Sequence, residues 1–292
     1  MYLAEILALC AAICIAMSSM LVGELRGRLP LLDLARLQMG TAFFMTAAVS
    51  LAVDGWRTIG LWQLGFLAVS SLFGIIIAST TYFAAIYTAG PRTTALLFSL
   101  TAPFAVLFGY LFLGETIDGQ QGAGIACVLL GILLAIGARG TAKSKGTERV
   151  SWLGIVLGVV TALGQALGSL AARPAMAAGA EPFTAMAVRS GIAALFFLLL
   201  MAVPHPAVKP AAQIGKRSLS LAVGSAFFGV GLGMSLLMAA LAHGSVGIVS
   251  TLSSMTPVVI LPMIWARTGA VPPPLAWLGA ALAVAGTALI SL

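Results

Sequence analysis

The chain has 292 residues, of which 61% are apolar and only 8% charged, with a formal net charge of +7, and its mean hydropathy is +1.10. A soluble domain carries about a quarter charged residues, so a water-soluble fold is excluded and a membrane-embedded one is implied. The basic excess is not read as a nucleic-acid footprint, because its distribution follows the pattern of a membrane topology.

Ten segments carry the ~20 mostly apolar residues that a helix needs to cross the bilayer core: 2–22, 31–53, 61–87, 93–113, 119–138, 151–172, 182–203, 218–240, 245–266 and 272–291. They use most of the chain, so the loops are too short for a soluble domain. The first lacks the pattern of a signal peptide: no basic residues precede it, and it runs into Glu24–Arg28 without a convincing cleavage site. The loops joining segments 1–2, 3–4, 5–6, 7–8 and 9–10 share one face. They carry eleven basic residues: Arg26, Arg28, Arg92, Arg139, Lys143, Lys145, Arg149, Lys209, Lys216, Arg217 and Arg267. The opposite face carries two, Arg57 and Arg173. Basic loops stay cytoplasmic, so both termini are expected outside, with the loop 139–150 inside the cell.

Taken in chain order, the segments carry few polar residues. The first has Ser18 and Ser19, and the second has Arg36 in DLARLQMGTAFF. The third has Ser79, Thr80, Thr81 and Tyr82, and the fourth has Ser99 and Thr101 before Pro103. The fifth is glycine-rich, with Gly122, Gly124 and Gly131. The sixth carries Gln165 and Ser169 among Gly154, Gly158, Gly164 and Gly168, and the seventh carries Arg189 in TAMAVRSGIAALFF. The eighth has Ser225, Gly229, Gly231, Gly233 and Ser235. In the ninth, Ser250, Thr251, Ser253, Ser254 and Thr256 precede Pro257, and the tenth carries Gly279 and Gly286. Cys10, Cys14 and Cys127 lie inside spans without metal-ligand spacing and read as small packing residues. No metal or cofactor site is expected.

The second five segments repeat the first. Gly90 falls on Gly244 and Pro103 on Pro257, and after a one-residue slip Gly124 falls on Gly279 and Gly131 on Gly286. Arg36 falls on Arg189. Residues 1–138 and 151–292 therefore form two five-helix units joined by a basic linker, 139–150. Five is odd, so the second unit enters from the opposite side. The fold class is an all-α integral membrane protein of two inverted repeats related by a pseudo-twofold axis in the membrane plane.

On these residues the chain resembles EamA-type members of the drug/metabolite transporter superfamily. The shared features are an Arg early in each second helix, a proline within each fourth and a Gly-rich fifth, with the run PFAVLFGYLFLGET (103–116) particularly close to the family pattern. The resemblance implies export of amino acids or other metabolites; the bacterial aromatic amino-acid exporters are similar in size and layout. The first repeat has Gly114-Glu115 after its fourth helix where the second has Thr268-Gly269, so any role of that Glu does not carry over to the second half.

A proline removes a backbone donor and breaks or kinks a helix. In lipid the freed polar groups are tolerated only where they face protein or a cavity, and a matched pair of interrupted helices points to a transporter's substrate site. The expected substrate cavity is lined by Ser99, Thr101, Pro103, Ser253, Ser254, Thr256 and Pro257, with Ser79, Tyr82, Ser18 and Gln165 from the neighbouring helices. A competing reading has these hydroxyls only bracing kinks and interhelix contacts. Arg36 and Arg189 are gating candidates, one per membrane face, with Asp33 and Glu181 as local partners; the plainer reading has each snorkel to the interface. The small-residue rows read first as helix-packing surfaces.

Chemistry that the sequence lacks bounds the function. There is no paired intramembrane carboxylate, no HExxH and no GxxxxGK[ST], so an enzyme and an ATP-driven pump are both disfavoured. Titratable candidates for proton coupling reduce to Glu5, Asp33 and His243, all toward helix ends. The expectation is an alternating-access facilitator or exchanger that exports small metabolites, amino acids foremost, across the inner (plasma) membrane as a functional monomer, with a small-molecule substrate, the lipid bilayer and no nucleic acid as partners. The alternatives are a proton-coupled exporter of drugs, nucleosides or sugars and, in another class, an intramembrane lipid-modifying enzyme.

Overall fold

The computed structural model describes residues 2–137, 151–203, 214–269 and 273–291. The linker 139–150, the loop holding His205 and Lys209, and residues 270–272 lie outside the described residues. The order is α1 (Leu3–Leu25), α2 (Leu31–Ala52), α3 (Leu61–Ser71), a π-helical segment (Leu72–Ile77), α4 (Ala78–Phe98), α5 (Thr101–Leu113) and α6 (Gly119–Gly137). The second half runs α7 (Trp152–Ala177), α8 (Pro182–Leu199), α9 (Lys216–Ala226), a second π-helical segment (Phe227–Gly233), α10 (Met234–His243), α11 (Val246–Ser253), α12 (Thr256–Thr268) and α13 (Pro274–Ser291). Among the described residues there is no strand.

Six helices are long and apolar enough to cross a membrane: Leu3–Leu25, Leu31–Ala52, Leu61–Ala89, Trp152–Ala177, Pro182–Ala202 and Lys216–His243. They are the first three of each half. The rest of the ten predicted segments falls on α4–α5, α6, α11–α12 and α13, and within these Thr101–Leu113 and Pro274–Gly286 are apolar but shorter.

The interior is rich in small residues, with Ala8, Ala11, Ala12 and Ala16 on α1 and Ala162, Ala166, Ala172 and Ala175 on α7 all fully buried. Large apolar side chains such as Phe44, Leu61, Phe112, Leu195 and Leu199 stand on the outside. Water would penalise that distribution; lipid does not, and helices in lipid associate through close backbone approach. The glycine rows show how close. A Cβ at Gly164 would lie 2.8 Å from the Phe73 carbonyl oxygen, and one at Gly158 would strike Leu97. Gly168 faces Gly74 backbone to backbone. On the other side, a Cβ at Gly233 would lie 3.2 Å from that of Cys14, and one at Gly229 would meet Ser18. The third helix of each half thus packs on the first helix of the other half. α2 pairs with α8 and α6 with α13 in the same reciprocal manner.

Two sequence expectations change. The break expected between segments three and four, around Gly90-Pro91, does not occur: α4 runs from Ala78 to Phe98. Proline's fixed φ is compatible with a helix even though it removes a hydrogen bond, so a Gly-Pro pair reads as a turn yet stays helical here. Arg92, counted among loop residues, therefore lies within α4. In the second half the matching Gly244 is extended (φ −135°, ψ 165°) and ends α10. Second, the left-handed C-caps of α5 and α12 are Gly114 (φ +64°) and Gly269 (φ +68°). The structural counterpart of Gly114 is therefore Gly269 rather than Thr268, and Glu115 corresponds to Ala270, which lies outside the described residues.

Candidate functional site

Both proline segments contain a true break. α4 ends at Phe98 and α5 starts at Thr101; α11 ends at Ser253 and α12 starts at Thr256. Pro103 and Pro257 are the third and second residues of the helices that follow, within the first turn, where a backbone N–H has no helical partner in any case. The prolines therefore start new helices rather than bending continuous ones. Tight turns carry the chain through the gaps, with Ala102 N–H donating to Ser99 O at 3.2 Å and Met255 N–H to Leu252 O at 3.1 Å. α5 packs on α11 and α7, and α1 lies against α11 and α12, so the two breaks belong to one neighbourhood where the halves meet.

The hydroxyls at the breaks are buried: Ser99, Thr101, Ser250, Thr251, Ser253, Ser254 and Thr256. Some are satisfied locally. Ser253 donates to Ser250 O at 3.1 Å, and Thr256 to Ser253 O at 3.1 Å. Among the described residues the hydroxyls of Thr101, Ser250 and Ser254, and of Ser169 on α7, have no hydrogen-bond partner. A buried polar group without a partner costs roughly 1–3 kcal/mol, and such groups cluster where something else supplies the partner.

The other predicted lining residues divide. Tyr82 is hydrogen-bonded to Ser19 at 2.6 Å. Ser19 commits its own proton to Ile15 O at 2.8 Å, so Tyr82 is the donor, and its ring lies edge-on to Phe98, 5.5 Å away, just before the first break. Ser18 faces another helix, donating to Ser225 O at 2.8 Å. Gln38, which sequence reasoning passed over, donates to the Ser225 hydroxyl at 2.6 Å; its signal was an amide two residues beyond Arg36 inside an apolar span. Gln165 is buried on α7 and Ser79 is half-buried on α4.

The two arginines differ. Arg36 donates through Nη1 to Asp33 at 2.9 Å and through Nε to Phe197 O at 3.5 Å. Arg189 is fully buried, so it does not snorkel. Glu181 is not its partner. That carboxylate caps α8 instead, accepting from Phe183 N–H at 3.0 Å and Thr184 N–H at 2.6 Å, because the residue before Pro182 at a helix start is where an acceptor is wanted.

At the far end of α5, the Gly114 turn directs Glu115 across the halves. Its carboxylate accepts from the Val246 N–H at 2.9 Å and the Gly247 N–H at 3.4 Å, at the start of α11. Arg173 lies 4.0 Å from the same carboxylate. Glu115 thus satisfies orphan amides of the second half's broken helix. Among the described residues no cluster of His, Cys, Asp or Glu could hold a metal.

An all-helical chain with six long apolar helices and a reciprocally packed repeat is a multi-pass membrane protein. It belongs to the EamA-like transporter family, whose model matches twice, over residues 2–137 and 152–292. A solved crystal structure shares the fold at 21% identity, with a TM-score of 0.77 over 98% of this chain and 95% of that one. No protein of curated function matches. Family membership makes the chain a transporter of the drug/metabolite type, acting on a small molecule within the bilayer.

Proposed function

We propose that the protein exports small metabolites, amino acids foremost, across the inner (plasma) membrane by alternating access, as a monomeric facilitator or exchanger. Ten crossings, two inverted repeats of residues 1–138 and 151–292, outside termini and a cytoplasmic 139–150 linker belong to this reading. The observation that carries it is the pair of matched helix breaks bordered by buried hydroxyls that the fold leaves unpaired: Thr101 in one half, Ser250 and Ser254 in the other. A zwitterion supplies both a donor and an acceptor to such groups, and the half-helix ends beside them offer opposite partial charges. Tyr82, beside the first break, adds an aromatic wall.

The test is uptake into proteoliposomes of labelled amino acids, with and without unlabelled amino acid loaded inside and with no ion gradient. Saturable uptake stimulated by the internal substrate is the expected result. No uptake of any amino acid by folded protein would refute the amino-acid assignment and turn the search to nucleosides, sugars and drugs.

One observation favours proton coupling as a second reading. Glu5 Oε2 is buried without a partner near the start of α1, whereas Asp33 is engaged by Arg36 and His243 is exposed. Uptake driven by a pH gradient alone, and lost in Glu5→Gln, would establish this reading over the facilitator.

A further inference from the structure

Arg189 is a buried cation whose charge no described residue neutralises. It is the eighth residue of α8, about 10 Å along the helix from its start. Its Nη1 rests on two thioethers, Met186 Sδ and Met238 Sδ, each at 3.3 Å. Thioether sulfur is a weak acceptor and carries no charge. Among the described residues Nε and Nη2 have no hydrogen-bond partner, and no carboxylate pairs with the group. Arg36, at the matching position of the first repeat, is treated differently: it is met by Asp33 and a backbone carbonyl.

The two vacant donors are not an arbitrary pair. Nε and Nη2 share one edge of the guanidinium, the edge whose parallel N–H groups match the two oxygens of a carboxylate. Gly74, in the first π-helical segment, lies beside Nη2. A Cβ there would come 2.7 Å from Nη2 and 3.1 Å from Gly168 Cα. The position thus admits only glycine while the guanidinium holds its place. The segment that carries it is a π-bulge, a form frequent at functional sites. The Ser71 hydroxyl, just before the bulge, donates to the Arg189 carbonyl at 2.6 Å, holding α3 of one half to α8 of the other at this level.

We propose that Arg189 receives the carboxylate of the transported solute through its Nε–Nη2 edge, so that the substrate is a monocarboxylate. The proposal rests on the transporter reading above. A single guanidinium balances one negative charge. A neutral solute or a water molecule would fill the hydrogen bonds and leave the charge unmatched, which is the more costly defect in a low-dielectric interior. The site is reached when the halves move apart at the Gly74–Gly168 contact, since in the present arrangement Arg189 is fully enclosed.

The experiment is equilibrium binding to full-length protein in nanodiscs, read by ligand-dependent thermal stabilisation. The probes are alanine, leucine and phenylalanine against their C-terminal amides, acetate and benzoate against acetamide and benzamide, and sodium chloride alone. In the wild type at least one carboxylate is expected to bind tenfold or more tightly than its amide, the discrimination that a charge-assisted bidentate pair provides. In Arg189→Gln that ratio falls below threefold, and in Arg189→Lys it is intermediate, because the charge stays and the fork is lost. Gly74→Ala, which crowds the edge and keeps the guanidinium, is a second route to the same loss if Arg189→Gln does not fold. Equal binding of acid and amide across the wild-type panel overturns the proposal, as does discrimination that survives in Arg189→Gln. Stabilisation by chloride equal to that by any carboxylate overturns it too, by making this an inorganic-anion site. Binding requires no flux, so the two readings fail separately. Carboxylate selectivity without stimulated uptake removes the amino-acid exchanger reading alone, and uptake indifferent to the carboxylate removes this one alone.

Discussion

Removing the Glu115 carboxylate should loosen the start of α11 and little else. Both oxygens of Glu115 lie 2.9 Å from the Val246 N–H, and one lies 3.4 Å from that of Gly247. The helix they cap, Val246–Ser253, is only eight residues long, so it has little internal cooperativity of its own. A hydrogen bond to a charged group contributes about 1.5–3 kcal/mol, and a carboxylate at a helix N-terminus adds about 0.3–1 kcal/mol. The Glu115 side chain is 16% exposed, and Ser245 still caps Ile248 N–H at 3.4 Å, so the net loss in Glu115→Ala belongs near the low end, about 2 kcal/mol. That corresponds to roughly 30-fold faster opening of these amides. Hydrogen exchange of peptides covering 244–253, measured in nanodiscs, should show that acceleration for Val246 and Gly247, with 101–113 unchanged. Glu115→Gln, which keeps an acceptor, should show a smaller effect. Wild-type protection at Val246 in Glu115→Ala would refute the reasoning, because the helix start would then be held by something other than this carboxylate.

Pro103→Ala and Pro257→Ala each restore an N–H that can reach the carbonyl four residues back, Ser99 or Ser253, letting the helix close over its break. Transport should fall while most of the protein still folds, as checked by proteoliposome uptake beside size-exclusion profiles. Tyr82→Phe keeps the ring against Phe98 and removes the bond to Ser19. It should destabilise by about 1 kcal/mol, seen as a small drop in unfolding temperature, with a larger effect on substrate KM if the ring and hydroxyl face the solute. Gly131→Val places side-chain atoms where a Cβ alone would lie 2.5 Å from Gly279 O and Ala283 N. Overpacking of this kind costs about 1–3 kcal/mol, and the unfolding temperature should fall well below that of an exposed control such as Leu130→Val.

What the sequence conveyed was the membrane class, the doubling and the two breaks, since each rests on a signal that survives without coordinates: apolar length, a fixed offset, and proline chemistry. Gly90-Pro91 misled because proline excludes a donor without excluding helical φ, so only the packing of α4 on α7 decides whether the helix continues. Arg189 was found by its position, but its burial was not legible. Snorkelling and enclosure differ only in what surrounds the side chain, here Met186, Met238 and Gly74 from three separate stretches of chain. Glu115 was marked as a departure between the repeats, yet its partner amides lie 131 and 132 residues further on, beyond the reach of any local pattern. The π-helical segments, Leu72–Ile77 and Phe227–Gly233, have no residue signature that separates them from ordinary helix.

The crossing of α6 and α13 binds the two halves in another sense. A Cβ at Gly131 would meet Gly279 O and Ala283 N, and one at Gly286 would meet Gly124 O and Val128 N. Each half thus presents bare main chain to the other half's glycine, and neither surface can enlarge unless its counterpart recedes. A chimera pairing one half with a partner that carries any side chain at these positions would fail at this seam before its solute path was tested. The duplicated unit is, at this seam, not two interchangeable copies but a lock and its own key.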